Sequence, residues 1–158
     1  MAPAPSLEHQ QVSVHLSAQI LSALKEAKGM NGSGGCEVFT APVDVYLGET
    51  VVQPDLVIVC DPAKKSERGI EGPPDLVVEI LTPNRASKDI TRKWWLYEAA
   101  GIPEYLIVDP DGRLGRLLRL EGGRYMEAAR LEWGELVALL GGKIHIVQHP
   151  LITINKAR

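Results

Sequence analysis

The segment Asp75–Leu81 constrains the fold of this chain more than any other feature of its sequence. It reads Asp-Leu-Val-Val-Glu-Ile-Leu, and a nearly unbroken apolar run of this length is typical of a strand buried in the centre of a sheet. Apolar spacing predicts a helix from Ser87 to Ala100. Glu104–Val108 predicts a second buried strand after it. A strand–helix–strand unit of this size implies a right-handed crossover between two parallel strands.

Antiparallel strands and one further helix are predicted around this unit, because the apolar spacing changes between helical and alternating along the chain. We therefore predict an α/β (α+β) fold, in which a central mixed β-sheet is flanked by two helices and carries extra β-hairpins. Before the central unit, we predict a helix from His9 to Ala27 capped by Ser6 and ended by Gly29, a hairpin of Val38–Leu47 with Val51–Cys60, and a polar loop through Pro74. Gly101 is the predicted end of the second helix. After the central unit, we predict a hairpin of Leu114–Leu120 with Arg124–Arg130, one or two helical turns in Trp133–Leu140, and short strands at Lys143–Val147 and Leu151–Ile154.

Composition excludes several classes of protein. The chain has 158 residues, 45% hydrophobic and 23% charged, which suits one domain over 1–158 with a loose stretch at 1–5 and excludes bulk disorder. A net charge of −3 disfavours a large basic surface for nucleic acid but allows a local basic patch. No membrane-spanning run or secretion signal is present, so we expect a cytoplasmic protein without a membrane partner. Cys36 and Cys60 are too few for a disulfide-rich scaffold, so we expect reduced thiols, while the sequence leaves their pairing open.

Two carboxylates interrupt apolar strand patterns, where an isolated charge is costly. Glu79 lies in the middle of its strand, and Asp55 interrupts the run from Val51 to Cys60. If the two strands are neighbours, side-chain alternation allows Asp55 and Glu79 to converge. Converging carboxylates repel each other unless a proton or a cation lies between them, and Mg²⁺ or Mn²⁺ suits oxygen ligands. The alternative is that such carboxylates cap backbone groups, which we expect for Asp75 at the start of its run.

The helix after Glu79 brings three polar residues to one face, because Asp89, Lys93 and Tyr97 are four residues apart. Lys93 lies at the edge of the apolar stripe of this helix. Its long stem can therefore follow the sheet and bring the ammonium group to the carboxylates. The alternative is an ordinary surface pair between Asp89 and Lys93, which contributes about 0.3–0.5 kcal/mol.

These residues belong to an ordered set of motifs. The set comprises Val52-Gln53-Pro54-Asp55-Leu56, Pro74-Asp75 followed by Glu79 and Thr82-Pro83, Lys88-Asp89, Lys93, Tyr97, Gly101-Ile102, Glu104-Tyr105 and Asp109-Pro110. In order and spacing it resembles a large bacterial family of restriction-endonuclease-type proteins in the PD-(D/E)XK nuclease superfamily. The resemblance is dense from Glu37 to Asp111. It departs from the family at both ends, because the family has a strand-forming segment before the first helix and the tail from His149 is not typical.

The resemblance implies a restriction-endonuclease-like core and a nuclease site that uses Mg²⁺, or Mn²⁺ in its place. It assigns Asp55 and Glu79 as metal-binding and catalytic carboxylates. It assigns Lys93 as the catalytic lysine, because the usual lysine position holds Leu81. The supporting residues are Gln53, Asp89, Tyr97 and His9, of which His9 has the alternative of a solvent-facing or helix-end histidine.

The implied reaction is hydrolysis of DNA phosphodiester bonds by a metal-activated water. Three basic residues near the site are expected to hold flanking phosphates or, alternatively, to form a solvated helix face: Arg85, Lys88 and Arg92. A homodimer is expected because two nicks in a duplex need two sites. The alternative function is a catalytically silent module of the same fold that acts in assembly or binding, which needs no metal at Asp55 and Glu79.

Overall fold

The computed structural model describes residues 5–31, 35–83, 86–111 and 113–147. Its two helices are α1 (Leu7–Asn31) and α2 (Ala86–Ala100). Its strands are β1 (Glu37–Thr40), β2 (Val45–Leu47), β3 (Thr50–Val52), β4 (Leu56–Val59), β5 (Lys65–Ser66), β6 (Gly69–Glu71), β7 (Leu76–Ile80), β8 (Glu104–Asp109), β9 (Leu114–Glu121), β10 (Arg124–Glu132), β11 (Leu136–Leu139) and β12 (Ile144–Val147). Short 3-10 turns lie at Pro62–Lys64 and Leu140–Gly142.

Six strands form the central sheet in the order β1-β4-β7-β8-β9-β10. Strands β7 and β8 are parallel and are connected by α2, as the sequence predicts. The other neighbouring strands of this sheet pair antiparallel. The sheet is therefore mixed, and the predicted α+β class with two helices is confirmed.

Alternation along the two central strands divides the core into two layers, one for each helix. Every residue of β4 and β7 is buried, which explains why both segments are almost continuously apolar. One layer packs against α1 and contains Leu56, Ile58, Leu76, Val78, Val12 and Leu16. The other packs against α2 and contains Val57, Val77, Tyr97, Ile102 and Tyr105. The face of the sheet that carries Val57 and Val77 also carries the two unusual carboxylates.

The helix boundaries follow the predicted signals except at one end. The Ser6 hydroxyl accepts a hydrogen bond from the backbone N–H of His9 at 3.0 Å, which confirms the predicted cap of α1. The end of α1 at Gly29 was predicted too early, because the helix continues to Asn31. Gly101 ends α2 as predicted and has a positive φ of 79°, which glycine adopts without steric cost.

The predicted hairpin of Val38–Leu47 with Val51–Cys60 is confirmed in its antiparallel pairing, but it is divided between two sheets. Pro42 interrupts the first run, and its two parts enter different sheets: β1 pairs with β4, while β2 pairs with β3. Strands β2 and β3 join β6 and β5 in a second, four-stranded sheet. The polar loop predicted through Pro74 therefore contains two short strands. The predicted hairpin of β9 and β10 is confirmed.

The helical turns predicted in Trp133–Leu140 are wrong, because Leu136–Leu139 forms strand β11. Burial alternates along this strand, with Leu136 exposed and Val137 buried, which is the two-residue period of a strand and not the period of a helix. Strand β12 confirms the prediction for Lys143–Val147 and pairs with β11. The predicted strand Leu151–Ile154 and the atypical tail lie outside the described residues.

The two cysteines do not follow the expectation of reduced thiols. Cys36 and Cys60 form a disulfide, with their Cα atoms 3.9 Å apart. They flank the β1–β4 ladder, in which Glu37 is opposite Val59, so the antiparallel register brings the cysteines face to face. Within the described ranges, neither helix has the length and apolar character needed to cross a membrane.

Candidate active site

Asp55 and Glu79 converge as predicted, because their strands are neighbours. Asp55 directly precedes β4, Glu79 lies in β7, and the register that pairs Leu56 with Val78 continues to these two residues. Both line a cavity of about 160 Å³, together with His9, Gln53, Asp89 and Lys93. The structure thus brings the predicted carboxylates and most of the supporting residues to a single cavity.

Glu79 is a carboxylate buried to 5% exposure in the wall of this cavity. Its Oε2 accepts a hydrogen bond from the Tyr97 hydroxyl at 2.6 Å and lies 2.8 Å from the Lys93 Nζ. Burial raises the pKa of Glu79 to about 7, Lys93 opposes this rise, and the charge of Asp55 adds to it. A carboxyl group in a cavity with a pKa near 7 can release its proton when another cation binds beside it.

Lys93 reaches the carboxylates, as its place on the helix predicted. Its ammonium group lies between Glu79 and Asp89, at 2.8 Å from Oε2 of the first and 3.1 Å from Oδ2 of the second. Burial lowers the pKa of Lys93, but the charges and hydrogen bonds of Glu79 and Asp89 outweigh this effect and raise it. The pair between Asp89 and Lys93, first considered as an alternative, therefore exists as part of the same cluster.

Asp55 both caps the backbone and faces the cavity. Its Oδ2 accepts a hydrogen bond from the backbone N–H of Ile80 at 2.7 Å, which ties the start of β4 to the end of β7. Its Oδ1 lies 3.0 Å from Nε2 of His9. Asp75, in contrast, is a backbone cap as expected, since its Oδ1 accepts from the N–H of Cys60 at 2.8 Å.

His9 and Gln53 join the site from two different elements. His9 lies in the first turn of α1, so this helix also contributes a side chain to the cavity. Gln53 lines the cavity and donates from Nε2 to Oδ1 of Asp44 at 2.7 Å. The sequence did not single out Asp44, because nothing around this residue indicates that its carboxylate pairs with Gln53.

The three predicted basic residues are placed less closely. Arg92 is exposed, and its Nη2 lies 3.9 Å from Oδ1 of Asp89. Lys88 belongs to the first turn of α2, but its side chain is outside the described part, and Arg85 is outside it altogether. Only Arg92 can therefore be related to the cavity, through Asp89.

Tyr105 is a cavity residue to which sequence reasoning gave no role. It lies in β8 opposite Val77 and has no exposed surface. Its ring meets that of Tyr97 edge to face, with centroids 5.1 Å apart. A tyrosine in an otherwise apolar buried strand was the available signal, since its hydroxyl needs a partner.

The donor set fits a hard divalent cation that keeps part of its water shell. Among the described residues, no group of three or more histidine, cysteine, aspartate and glutamate side chains is arranged to hold a metal ion. Two carboxylates, Asp55 and Glu79, do line one cavity, and the charge of Asp55 adds to the rise in the pKa of Glu79. Mg²⁺ is commonly held by one or two carboxylates, with water and substrate phosphate as its other ligands.

Comparisons with known proteins identify the family and the fold of this chain. The family model described as "Uma2: Putative restriction endonuclease" matches residues 1–142. The chain belongs to the Uma2 family. Its fold is similar to a crystal structure titled as a putative nuclease of DUF820 from Anabaena variabilis ATCC 29413, with a TM-score of 0.71 and 18% identity over 92% of this chain and 80% of that one. A search of curated proteins finds no match.

Membership of Uma2 confirms the predicted family and supports a nuclease function in general. The structural similarity, at 18% identity, supports the fold. The identity of the metal, the substrate and the roles of single residues are taken up as proposals.

Proposed function

We propose that this Uma2 protein is a metal-dependent endonuclease that hydrolyses phosphodiester bonds of DNA. The observation that carries the proposal is the Lys93 ammonium group, held between Glu79 and Asp89 at the edge of a cavity that Asp55 also lines. A lysine beside two carboxylates on adjacent strands suits the hydrolysis of an anionic ester. The carboxylates would hold a cation, and the lysine would stabilise the negative charge that develops on the phosphate.

Asp55 and Glu79 are the residues that would hold Mg²⁺ or Mn²⁺. Bound there, the cation would polarise a phosphate oxygen and lower the pKa of a water molecule. Glu79 has to be deprotonated for this, and with a pKa of about 7 it is poised to lose its proton as a cation binds. Asp55 is held in place by the backbone N–H of Ile80 and by His9, so its orientation is fixed before any ligand enters.

Lys93 is the proposed catalytic lysine. Its ammonium group orients the attacking water and stabilises the added negative charge while the water oxygen bonds to phosphorus and the ester P–O bond breaks. The proton of the attacking water passes to solvent, and the leaving oxygen takes up a proton from solvent and departs as a hydroxyl group. Asp89 and Tyr97 have positioning roles, because Asp89 holds the lysine from one side and Tyr97 shares its acceptor on Glu79. Arg92, together with Lys88 and Arg85, is proposed to hold flanking phosphates.

The first test is titration of Mn²⁺ and Mg²⁺ by calorimetry into the wild type, Glu79→Gln and Asp75→Asn. We expect binding in the wild type, its loss in Glu79→Gln and its retention in Asp75→Asn, whose carboxylate caps Cys60 outside the cavity. Absence of binding in a folded wild type would favour the silent assembly module over the nuclease.

The second test is cleavage of DNA with the wild type and Lys93→Ala. Loss of cleavage in a folded Lys93→Ala protein supports the assigned role, and unchanged cleavage removes Lys93 from it. We further propose that the protein acts as a homodimer, since a double-strand break needs two sites. Sedimentation and the ratio of nicked to linear plasmid test this, because a monomer would produce nicked circles first.

A further inference from the structure

Tyr105 carries a buried hydroxyl group that has no hydrogen-bond partner among the described residues. Its side chain has no exposed surface. Leaving a buried polar group unsatisfied is costly, and most such groups in folded proteins are paired. A phenylalanine at this position would avoid the cost and fill nearly the same space. The hydroxyl therefore needs an explanation other than packing.

The surroundings of Tyr105 relate it to the candidate site. The residue lines the same cavity as Asp55, Glu79 and Lys93. Burial raises the pKa of its phenol well above the usual range, and the charges of Glu79, Asp89 and Asp55 add to this rise. The group is therefore a proton donor at every working pH. Its neighbour Tyr97 shows what a phenol does at this site, since it donates to Glu79.

The described hydrogen bonds of Glu79 leave room for a further donor at the cavity. Lys93 and Tyr97 both use Oε2 of Glu79. When the ammonium group of Lys93 turns towards a substrate, the carboxylates of the cavity lose one positively charged partner. A phenol that is already buried beside them supplies a donor without the entropy cost of ordering a surface side chain.

We propose that Tyr105 is a positioning residue whose hydroxyl donates a hydrogen bond to an oxygen atom that enters the cavity when the site is loaded. The oxygen belongs either to a water molecule or to the substrate phosphate, and both accept from a phenol. This inference rests on the proposed nuclease function. It adds a donor that the order of the sequence motifs does not reveal, on the strand next to the one that carries Glu79.

The test compares two variants that each remove one buried hydroxyl, Tyr105→Phe and Tyr125→Phe. Tyr125 is the matched control: its ring packs 6.0 Å from that of Tyr105, but its hydroxyl donates to the backbone oxygen of Ile102 at 2.8 Å. Removing a satisfied hydroxyl should lower the Tm of the metal-free protein by about 2–4 °C for a domain of this size. Removing the unsatisfied one should leave the Tm unchanged or raise it.

Function should respond in the opposite order. We expect Tyr105→Phe to lower kcat, or to raise KM, by about tenfold or more. If the acceptor is a water molecule, Mn²⁺ binding should also weaken by about tenfold, whereas a phosphate acceptor leaves it unchanged. Tyr125→Phe should keep the wild-type kcat, KM and Mn²⁺ affinity at a temperature well below its Tm. A fall in kcat with an unchanged KM identifies the acceptor as a water molecule. A rise in KM, with weaker inhibition by inorganic phosphate, identifies it as a phosphate oxygen.

Two results would overturn the proposal, and they are distinguishable. If the wild type binds Mn²⁺ and cleaves DNA while Tyr105→Phe equals it in kcat, KM and affinity, the hydroxyl has no role at the site and the nuclease proposal stands. If the folded wild type neither binds Mn²⁺ nor cleaves DNA, the nuclease proposal fails and the role of Tyr105 fails with it.

Discussion

Two buried glutamates on neighbouring parallel strands, Glu79 and Glu104, have different roles in this protein. Glu79 lies near the end of β7 and is 5% exposed, whereas Glu104 begins β8 and is 3% exposed. Glu104 accepts from the backbone N–H groups of Leu140 and Gly141, at 2.5 and 3.2 Å, and from Nε of Arg119 at 2.9 Å. It therefore fastens the turn before β12 to the central sheet.

The comparison teaches that burial does not by itself mark a functional carboxylate. Both oxygens of Glu104 are occupied by donors that the fold fixes in place. The described donors to Glu79 instead converge on one oxygen, and a second carboxylate, Asp55, faces the same cavity. Glu104, with fixed donors on both oxygens and no place in the cavity, is structural, while Glu79, which shares a cavity with another carboxylate and a lysine, is chemically usable.

The largest expected difference between the two glutamates is in activity. Replacing Glu79 by Gln should lower kcat for DNA cleavage by at least about a hundredfold, since it removes a proposed metal ligand and the acceptor of Lys93. Replacing Glu104 by Gln should leave kcat within about twofold below the unfolding temperature, because its partners lie outside the cavity. Single-turnover cleavage of a labelled duplex measures both. Equal losses of kcat in the two variants would show that Glu79 and Glu104 do not differ in their contribution to catalysis.

The next difference concerns the pH dependence of stability. The pKa of Glu79 is raised from 4.5 to about 7, so the folded state binds more protons than the unfolded state between these pH values. Stability from this group is therefore lost as the pH rises from 4.5 to 7, by about 3 kcal/mol in total. Urea unfolding without metal should show the wild type losing stability relative to Glu79→Gln over this range. A constant difference would show that the pKa is not raised.

The sequence predicted Glu79 because its charge interrupts a run that is otherwise apolar. It predicted the convergence with Asp55 and the reach of Lys93, because alternation and helical spacing are local rules. It did not predict the partners of Glu104, since they come from a turn 36 residues away that was expected to follow a helix rather than strand β11. Tyr105 was missed for a related reason, because an unpartnered hydroxyl is visible only when all surrounding groups are placed.

A smaller effect is expected on the stability of Glu104→Gln. The substitution removes the charge that Arg119 and two backbone N–H groups share, and it should cost about 2 kcal/mol. Urea unfolding at constant pH measures this loss as a lower midpoint with an unchanged slope. Because β11 and β12 pack against α1, loss of their anchor should also speed hydrogen exchange in this hairpin. Wild-type exchange there would show that Glu104 does not hold the turn.

The smallest effect is expected from Arg92, which extends the comparison from the buried acids to the exposed bases. Its side chain is 77% exposed, and its Nη2 lies 3.9 Å from Oδ1 of Asp89, which makes a weak ion pair. Removing the side chain should therefore leave the Tm unchanged. If it holds a flanking phosphate, Arg92→Ala should raise KM about two- to threefold at low salt and leave kcat unchanged, with the difference disappearing at high salt. Arg68→Ala is the matched control, because Arg68 is similarly exposed and pairs with Glu71. Equal effects of the two variants would mean that Arg92 contributes only general charge, and the phosphate contacts would then have to come from Lys88 or Arg85.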